Sequence, residues 1–302
     1  MAGNTSEIML VRPGTIVIPT DGSEYSEGAI REGIKLAKNS SSKLRALYVI
    51  EFNPEYEALA PNLVEQEERT AQDILKAVKD RAEKEGVECT AAMVRNEKPF
   101  EAIVDEVEES RANLIVMGRR GRTGIKKLLM GSVTAKVIGY SPVDVLVVPK
   151  AASLACKNIL VATDGSLCAK DAVSAAAGTA KNCGAGLTVI AVIPSENVSA
   201  LDIVHSDMQR KMISDAEMQM AEKNMVEAKE IAVKAGVSAK GIIASGKPYE
   251  QIVETANEMK ADLIVVGCHG RTGLARALMG SVTERVIGLA QSAVLVVVEK
   301  KK

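Results

Sequence analysis

The chain has 302 residues, a formal net charge of −1, 47% hydrophobic residues and 2% aromatic residues. A net charge this close to zero gives no general attraction for polyanions. The aromatic side chains are too few to form the stacking platforms that bind single-stranded nucleic acids, so we expect no nucleic-acid partner. No apolar run approaches the roughly 18 residues that span a bilayer, and no signal-peptide pattern opens the chain, which predicts a cytoplasmic protein without a membrane partner.

Short aliphatic runs alternate with amphipathic stretches along the whole chain. In the first half this pattern predicts strands at about Thr15–Pro19, Leu44–Ile50, Glu88–Val94, Asn113–Met117 and Val143–Val148, and helices at about Glu24–Asn39, Leu63–Glu85, Phe100–Ser110 and Val133–Tyr140. The second half repeats this order, with strands near Ile159–Ala162, Leu187–Ile193, Ala239–Ala244, Leu263–Val266 and Val294–Val298 and a long polar helix at about Ser206–Ala235.

Runs such as LIVMG and VLVVP are continuous rather than alternating, which is typical of parallel strands buried on both faces. Strands that alternate with helices predict the α/β class with helices on both sides of a parallel sheet. We therefore expect each half to be a five-stranded doubly wound unit. Ligands of such units bind at the carboxyl ends of the strands, where the strand order reverses.

The second half of the sequence is a copy of the first. TIVIPTDGS at Thr15–Ser23 returns as NILVATDGS at Asn158–Ser166, and 22 of 38 positions are identical between Ala112–Pro149 and Ala261–Val298. Such identity predicts two duplicated domains, residues 1–150 and 151–302. The connection Lys150–Lys157 is too short for free motion, so we expect the halves to pack together as an intramolecular pair.

The strongest chemical signal follows the fourth strand of each half. Glycines and a serine have the spacing G-x2-G-x9-G-S at Gly118, Gly121, Gly131 and Ser132, and again at Gly267, Gly270, Gly280 and Ser281. Glycines allow close approach and positive φ, and a helix N-terminus favours anions. Hydroxyl donors from Ser132, Thr134, Ser281 and Thr283 would add to a phosphate site; glycines kept for packing alone are the alternative.

A second signal is the TDGS turn between the first strand and the first helix. The carboxylates of Asp21 and Asp164 can accept hydrogen bonds from ribose or adenine, or hold a magnesium-bound water. The alternative interpretation is that Ser23 and Ser166, with these aspartates, only cap the helices.

With these motifs the chain resembles the ATP-binding branch of the universal stress protein family over nearly all of both halves. The resemblance implies an adenine nucleotide α-hydrolase-like fold that binds ATP, ADP or AMP, with Mg²⁺, in each half. It places the base and ribose near Thr20, Asp21, Val49, Met117 and Gly118, and near Thr163, Asp164, Val192, Val266 and Gly267. It places the phosphates near Gly121, Gly131, Ser132, Val133 and Thr134, and near Gly270, Gly280, Ser281, Val282 and Thr283.

One departure lies between the first two motif glycines. Many family members have a small residue and a histidine there, as in Cys268-His269, whereas the first half has Arg119-Arg120. The two guanidinium groups could strengthen phosphate binding, or they could point to solvent or pair with acids. The two sites are therefore expected to differ in affinity.

Partners and function follow from the same resemblance. Family members pair their last strands across a dimer axis, and tandem members can make that pairing within one chain, here between Val145–Val148 and Val294–Val297, which would otherwise be open apolar edges. We expect a homodimer of the tandem chain, an unknown protein partner, and a nucleotide-dependent regulator of the stress response. The alternatives are a slow ATPase or ATP-using enzyme, and a structural dimerisation module. We assign no catalytic residue and no metal-ligating side chain.

Two further patterns are less informative. Gly241–Pro248 nearly matches a P-loop, but Pro248 replaces the metal-binding hydroxyl, so we predict a strand end followed by a helix. The five cysteines lack CxxC spacing and are expected to be buried thiols of a reducing compartment, with a disulfide or metal framework as the alternative.

Overall fold

The computed structural model describes residues 14–51, 54, 61–122, 130–194, 207–270 and 279–299. The first half contains β1 (Thr15–Pro19), α1 (Glu27–Ser40), β2 (Lys43–Glu51), α2 (Pro61–Lys84), β3 (Cys89–Asn96), α3 (Pro99–Glu109), β4 (Leu114–Gly118), α4 (Ser132–Tyr140) and β5 (Asp144–Val148). The second contains β6 (Asn158–Thr163), α5 (Leu167–Cys183), β7 (Gly186–Pro194), α6 (Asp207–Lys234), β8 (Ala239–Gly246), α7 (Pro248–Glu258), β9 (Leu263–Gly267), α8 (Ser281–Leu289) and β10 (Ala293–Val297).

The predicted order of strands and helices is confirmed, with most boundaries within two residues. The largest difference is at α1, which begins at Glu27 rather than near Glu24. The hydroxyl of Ser26 contacts that of Thr20 at 2.9 Å and donates to the carbonyl of Ser23, which holds residues 21–26 as a turn before the helix. The P-loop-like segment is β8 followed by α7, with Pro248 in the first helical turn as predicted.

The ten strands of the described residues form one sheet in the order β3-β2-β1-β4-β5-β10-β9-β6-β7-β8. Pairing is parallel within each half, as predicted. At the centre β5 and β10 run antiparallel, with Leu146 opposite Leu295. The expected pairing of the last strands within one chain is therefore confirmed. It joins the two five-stranded units and satisfies backbone groups that would otherwise be exposed on two apolar edges.

Both faces of the sheet are covered, which is why its central strands are apolar throughout. Ile16 and Ile18 belong to a core on one face, and Val17 between them belongs to a core on the other; all three are fully buried. Helices α1, α2, α5 and α6 contribute to the first core, and α3, α4, α7 and α8 contribute to the second. The result is a three-layer α/β fold.

The connection between the halves is held against α1. Arg31 donates to the carbonyl oxygens of Lys150 and Ala152, and the buried Glu32 accepts a hydrogen bond from the backbone amide of Leu154 at 3.2 Å. Glu32 also accepts from Arg31 Nε at 2.8 Å, so this buried carboxylate is paired rather than isolated. These contacts fix the path of the chain from β5 to β6.

The five cysteines are buried thiols, as expected. Cys156 Sγ lies 2.8 Å from Cys183 Sγ, and Cys168 Sγ lies 3.8 Å from Cys268 Sγ. Burial raises the pKa of Cys268 to about 12, with Cys168 adding to the effect. A thiol of this kind is chemically inert at neutral pH.

Candidate functional sites

In each half, the order of strands reverses between the first strand and the fourth. β1 lies between β2 and β4, and β6 lies between β7 and β9. The chain leaves these neighbouring strands in opposite directions, so a crevice opens at their carboxyl ends. A cavity of about 450 Å³ in the first half and one of about 360 Å³ in the second occupy these crevices. Both volumes are in the range of small-molecule sites.

The cavities bring together all twenty residues that the sequence assigned to ligand binding. The first is lined by Thr20, Asp21, Val49, Met117, Gly118, Gly121, Gly131, Ser132, Val133 and Thr134. The second is lined by Thr163, Asp164, Val192, Val266, Gly267, Gly270, Gly280, Ser281, Val282 and Thr283. These residues come from three separate parts of each half, so their convergence is a property of the fold.

Other lining residues are outside the twenty assigned ones, although the sequence marked Arg120 and His269 as a difference between the two loops. They are Pro19, Ser26, Leu47, Glu51, Glu67, Pro99, Ile103, Arg120 and Arg122 in the first cavity, and Ala162, Ala169, Pro194, Ile252 and His269 in the second. The lining residues that are adjacent in sequence to the two motifs could have been predicted from that adjacency. Glu67 on α2 and Ile103 on α3 carry no such signal, because only the packing of these helices brings them to the cavity.

Packing requires the first glycine of each motif, where a Cβ would meet backbone atoms, and disfavours a side chain at the second, where it would meet an aspartate side chain. A Cβ on Gly118 would lie 2.4 Å from the backbone oxygen of Tyr25, and one on Gly267 would lie 2.9 Å from the backbone carbon of Cys168. A Cβ on Gly121 would lie 2.7 Å from Asp21 Oδ2. For these positions the packing interpretation holds, since a side chain would separate the loop from the TDGS turn.

The third glycine of each motif is different. A Cβ on Gly131 or on Gly280 would meet no atom closer than 3.4 Å, which is ordinary contact. Their φ values are −75° and −62°, which any residue can adopt. Neither packing nor backbone conformation therefore calls for glycine there. The motif glycines do not use the positive φ that glycine allows: the described glycines with positive φ include Gly22 and Gly165 of the TDGS turns, and none of the six motif glycines.

Each third glycine is the N-cap of a helix that starts at the cavity. The amide of Ala135 donates to Gly131 O, and that of Glu284 donates to Gly280 O, both at 3.0 Å. The three amides before each donor belong to the first turn, which has no acceptor within the helix. Together with the positive end of the helix dipole they favour an anion in the cavity.

The threonine hydroxyls of these helices are used inside the protein. Thr134 Oγ1 donates to the carbonyl of Gly118 at 3.1 Å, and Thr283 Oγ1 donates to that of Gly267 at 2.8 Å. Both side chains are buried. Each hydroxyl has one hydrogen and shares it with a loop carbonyl, so donation to a phosphate would require that bond to break; it stays a prediction for these two residues. The hydroxyls of Ser132 and Ser281, at exposed residues, remain candidates.

The TDGS aspartates brace the turn and the glycine-rich loop. Asp21 Oδ1 accepts from the amide and the hydroxyl of Ser23 at 3.0 and 2.7 Å, and its Oδ2 accepts from the amide of Arg122 at 2.6 Å. Asp164 Oδ1 accepts from the amide of Ser166 at 2.9 Å. A carboxylate has further lone pairs, so these bonds leave room for a ligand contact.

The capping interpretation is correct for one half. Ser166 is the N-cap of α5 and accepts a hydrogen bond from the amide of Ala169 at 3.2 Å. Ser23 does not cap α1, because the turn of residues 21–26 places Ser26 at that position. The two copies of the turn therefore differ in the helix start that follows them.

The two arginines of the first loop point to different places. Arg119 Nη1 donates to the carbonyls of Gly288 and Ala290 at 2.9 and 3.0 Å, at the C-terminal end of α8 in the other half. Burial and the neighbouring Arg120 lower the pKa of Arg119, although a guanidinium stays protonated. Arg120 lines the first cavity instead. Among the described residues, Arg119 therefore neither lines a phosphate site nor points to solvent nor pairs with an acid, since it binds backbone carbonyls.

Arg122 lines the first cavity and contacts Tyr48, which is buried in β2. The guanidinium of Arg122 donates to the hydroxyl of Tyr48, lies 5.5 Å from the centre of its ring and is 3.5 Å from Glu67 Oε1. Burial raises the pKa of Tyr48, and the charge of Arg122 partly opposes this shift. The corresponding residue of β7 is Ala191, so the second half has no tyrosine at this position for an arginine to contact.

Comparison with known proteins agrees with this architecture. The profile described as the universal stress protein family matches residues 13–149 and 155–298. A universal stress protein from Methanocaldococcus jannaschii is 38% identical over 143 residues, covering 45% of this chain and 81% of that protein. The crystal structure of a universal stress protein from Archaeoglobus fulgidus aligns with a TM-score of 0.69 and 23% identity, covering 95% of this chain and 98% of that one.

The chain belongs to the universal stress protein family, with two copies of the family's domain in tandem. Its α/β fold agrees with the Archaeoglobus fulgidus structure along nearly the whole length of both chains. Among the described residues, no helix combines the length and the apolar character needed to cross a membrane.

Proposed function

We propose that each half of the chain, taken as domains 1–150 and 151–302, binds one adenine nucleotide, and that nucleotide occupancy controls a regulatory role in the stress response. The observation that carries this proposal is that a Cβ at Gly131 or Gly280 would make only ordinary contacts with the protein, while each glycine lines a cavity at the start of a helix. Glycine is not required there by the protein itself. A phosphate that approaches the backbone closely is a sufficient reason for it.

The cavity linings suit the two ends of a nucleotide. Leu47, Val49, Ile103 and Met117 give the first cavity an apolar wall for the base, next to the polar groups of Asp21. The helix amides and glycine-rich loop lie at the other end and would receive the phosphates. In the second cavity Val192, Ile252 and Val266 supply the apolar wall.

The ligand we propose is ATP, or ADP or AMP, with Mg²⁺ on the phosphates. Asp21 and Asp164 line the two cavities, but Asp21 already accepts three hydrogen bonds from the protein. A magnesium ion would therefore be held mainly by phosphate oxygens and water, as is usual for this ion. It would neutralise phosphate charge next to the helix N-terminus.

A binding role is favoured over efficient catalysis. Activation of water requires a base that is available to take a proton, and both oxygens of Asp21 accept hydrogen bonds that hold the loop in place. Slow ATP hydrolysis is the alternative enzymatic role. A structural module without ligands is less well supported, because it explains Gly131 and Gly280 only as one of several residue types suited to a helix N-cap, and does not explain why both line a cavity.

The proposal extends to assembly and location. The last strands of both halves are used within the chain, so a homodimer would form through another surface than β5 and β10. We retain a homodimer, an unidentified protein partner and a cytoplasmic location as parts of the proposal.

The decisive experiment is calorimetric titration of the purified chain with ATP, ADP and AMP in the presence of MgCl₂, with chromatography of the small molecules released on denaturation. We expect binding with two sites per chain, and one site in each of Gly131→Val and Gly280→Val. Undiminished binding by the double variant would place the nucleotide elsewhere. Turnover well above about one per minute would favour the enzyme instead.

A further inference from the structure

Arg120 and His269 occupy equivalent positions in the two glycine-rich loops, and each lines the cavity of its own half. A Cβ on Gly131 would lie 3.4 Å from the Cα of Arg120, and one on Gly280 would lie 3.7 Å from the Cα of His269. Both side chains therefore start beside the N-terminus of the helix that faces the cavity. They differ in charge and in reach.

Arg120 has an unused donor. Its Nε is buried and has no hydrogen-bond partner within the described ranges. A buried donor without an acceptor is costly, and a bound anion is a common explanation for one in a native protein. The other arginine of this cavity is engaged, since Arg122 contacts Tyr48 and Glu67.

At the position of Arg120, the second cavity has a weaker donor to anions. Neither arginine nor lysine is found among its lining residues in the described part of the chain, and its volume is about 360 Å³ against about 450 Å³. His269 stands where the first half has Arg120. An imidazole presents one N–H group to a phosphate, whereas a guanidinium presents a planar fork that matches two oxygens.

We propose that the difference between Arg120 and His269 gives the two sites different ligands. The first site takes adenine nucleotides with two or three phosphates, and the second takes adenine nucleoside monophosphates. The inference rests on the proposed nucleotide function. In both halves the helix amides hold the first phosphate they meet. In the first half Arg120 adds a charged donor for the phosphates beyond it, and the larger cavity has room for them.

The test compares the two sites one at a time. Gly280→Val leaves the first site, and Gly131→Val leaves the second. The dissociation constants of ATP and AMP are measured by calorimetry without magnesium, so that the phosphate charges are not masked. We expect the preference for ATP over AMP to be about 10- to 100-fold greater at the first site, the size of a charge-assisted hydrogen bond.

Exchanging the two residues tests their role directly. In the Gly280→Val background, Arg120→His is expected to reduce the first site's preference for ATP over AMP to that of the second site. In the Gly131→Val background, His269→Arg is expected to raise the second site's preference for ATP. Equal preferences at the two sites, or preferences unaffected by the exchange, overturn the inference and leave nucleotide binding intact. Failure of the unmodified chain to bind any adenine nucleotide overturns both proposals.

A measurement on the unmodified chain does not depend on the variants folding. The protein is photolabelled with 8-azido-ATP or with 8-azido-AMP, and the labelled peptides are assigned to residues 1–150 or 151–302 by mass spectrometry. Labelling of the first half by the triphosphate in excess over the monophosphate, with the opposite ratio in the second half, supports the inference. The same ratio in both halves contradicts it.

Discussion

Arg119 of the first half donates a hydrogen bond to the carbonyl of Gly288, in the last turn of α8 of the second half, at 2.9 Å. The same nitrogen donates to Ala290 O, the helix C-cap, at 3.0 Å. A cation at the C-terminal end of a helix satisfies carbonyls that have no partner within the helix and interacts favourably with the dipole. The second half has Cys268 at this position, which is too short to reach across, so the brace is made from one side.

We expect Arg119→Met to lower the free energy of unfolding by about 1–2 kcal/mol, since the helix end loses a charged donor while the aliphatic packing is retained. Urea unfolding followed by circular dichroism measures the change. Arg120→Met is the matched control, and its effect should be within about 0.5 kcal/mol, because Nε of Arg120 has no partner within the described ranges. Equal losses in the two variants would show that the contact with α8 contributes nothing.

The glycines of one motif should separate into two kinds. Gly118→Ala is expected to cost about 1–3 kcal/mol, because its Cβ would lie 2.4 Å from a backbone oxygen of Tyr25 and the chain must move. Gly131→Ala should cost no more than about 1 kcal/mol, from loss of a favourable N-cap, and should weaken ATP binding, since this residue lines the cavity.

Thermal unfolding and calorimetry on the same two preparations decide this prediction. Gly267→Ala and Gly280→Ala repeat the comparison in the second half. A Gly131→Ala variant that binds ATP as well as the unmodified protein would remove the main support for the proposed phosphate site.

The buried threonines should matter for stability. Thr134→Val keeps the shape of the side chain and removes the hydrogen bond to Gly118 O, leaving that carbonyl without its donor, so we expect a loss of about 1–3 kcal/mol. The exposed Ser132 is the contrast: Ser132→Ala should leave stability unchanged and weaken nucleotide binding. Denaturant titration of each variant, followed by calorimetry at a temperature where both are folded, measures the two effects.

Asp262 should make stability depend on pH. Burial raises the pKa of this carboxyl group, against the opposing effect of the backbone amides of Lys157 and Asn158. An acid with a raised pKa contributes stability below its unfolded-state pKa, and the contribution is lost as the pH rises through the folded-state pKa. Asp262→Asn should therefore be at least as stable as the unmodified chain at pH 7 and lose this advantage towards pH 4.

The first half supplies a control for this titration, because Asn113 is the residue that corresponds to Asp262. Asn113→Asp is expected to have the opposite effect, with the variant less stable at pH 7 than at pH 4 relative to the unmodified chain. Melting temperatures across this pH range are the measurement. A pH-independent difference for both variants would mean that neither carboxylate is desolvated in the folded protein.

Most of the candidate site was predictable because its residues belong to short motifs that occur twice. The TDGS turn and the glycine-rich loop each follow a strand, and parallel strands bring their carboxyl ends to one edge of a sheet. All twenty assigned residues line the two cavities for this reason. The duplication also identified where the halves differ, at Arg119-Arg120 against Cys268-His269.

Which atoms are used in those motifs could not be predicted. The hydroxyl of Thr134 and the guanidinium of Arg119 could each donate to several acceptors, and the sequence does not indicate which acceptor each one uses. In the folded protein Thr134 donates to Gly118 O and Arg119 donates to Gly288 O, more than 160 positions further along the chain.

The amino-acid sequence alone determined the order of strands and helices, the duplication and the loops that end at the cavities, because these depend on local periodicity and on residue types at short spacing. Tertiary structure decided which helix residues complete the cavities, which polar groups remain available to a ligand, and how Arg119 braces the two halves. Such contacts depend on distances between segments that are remote in sequence, and local preferences do not fix those distances.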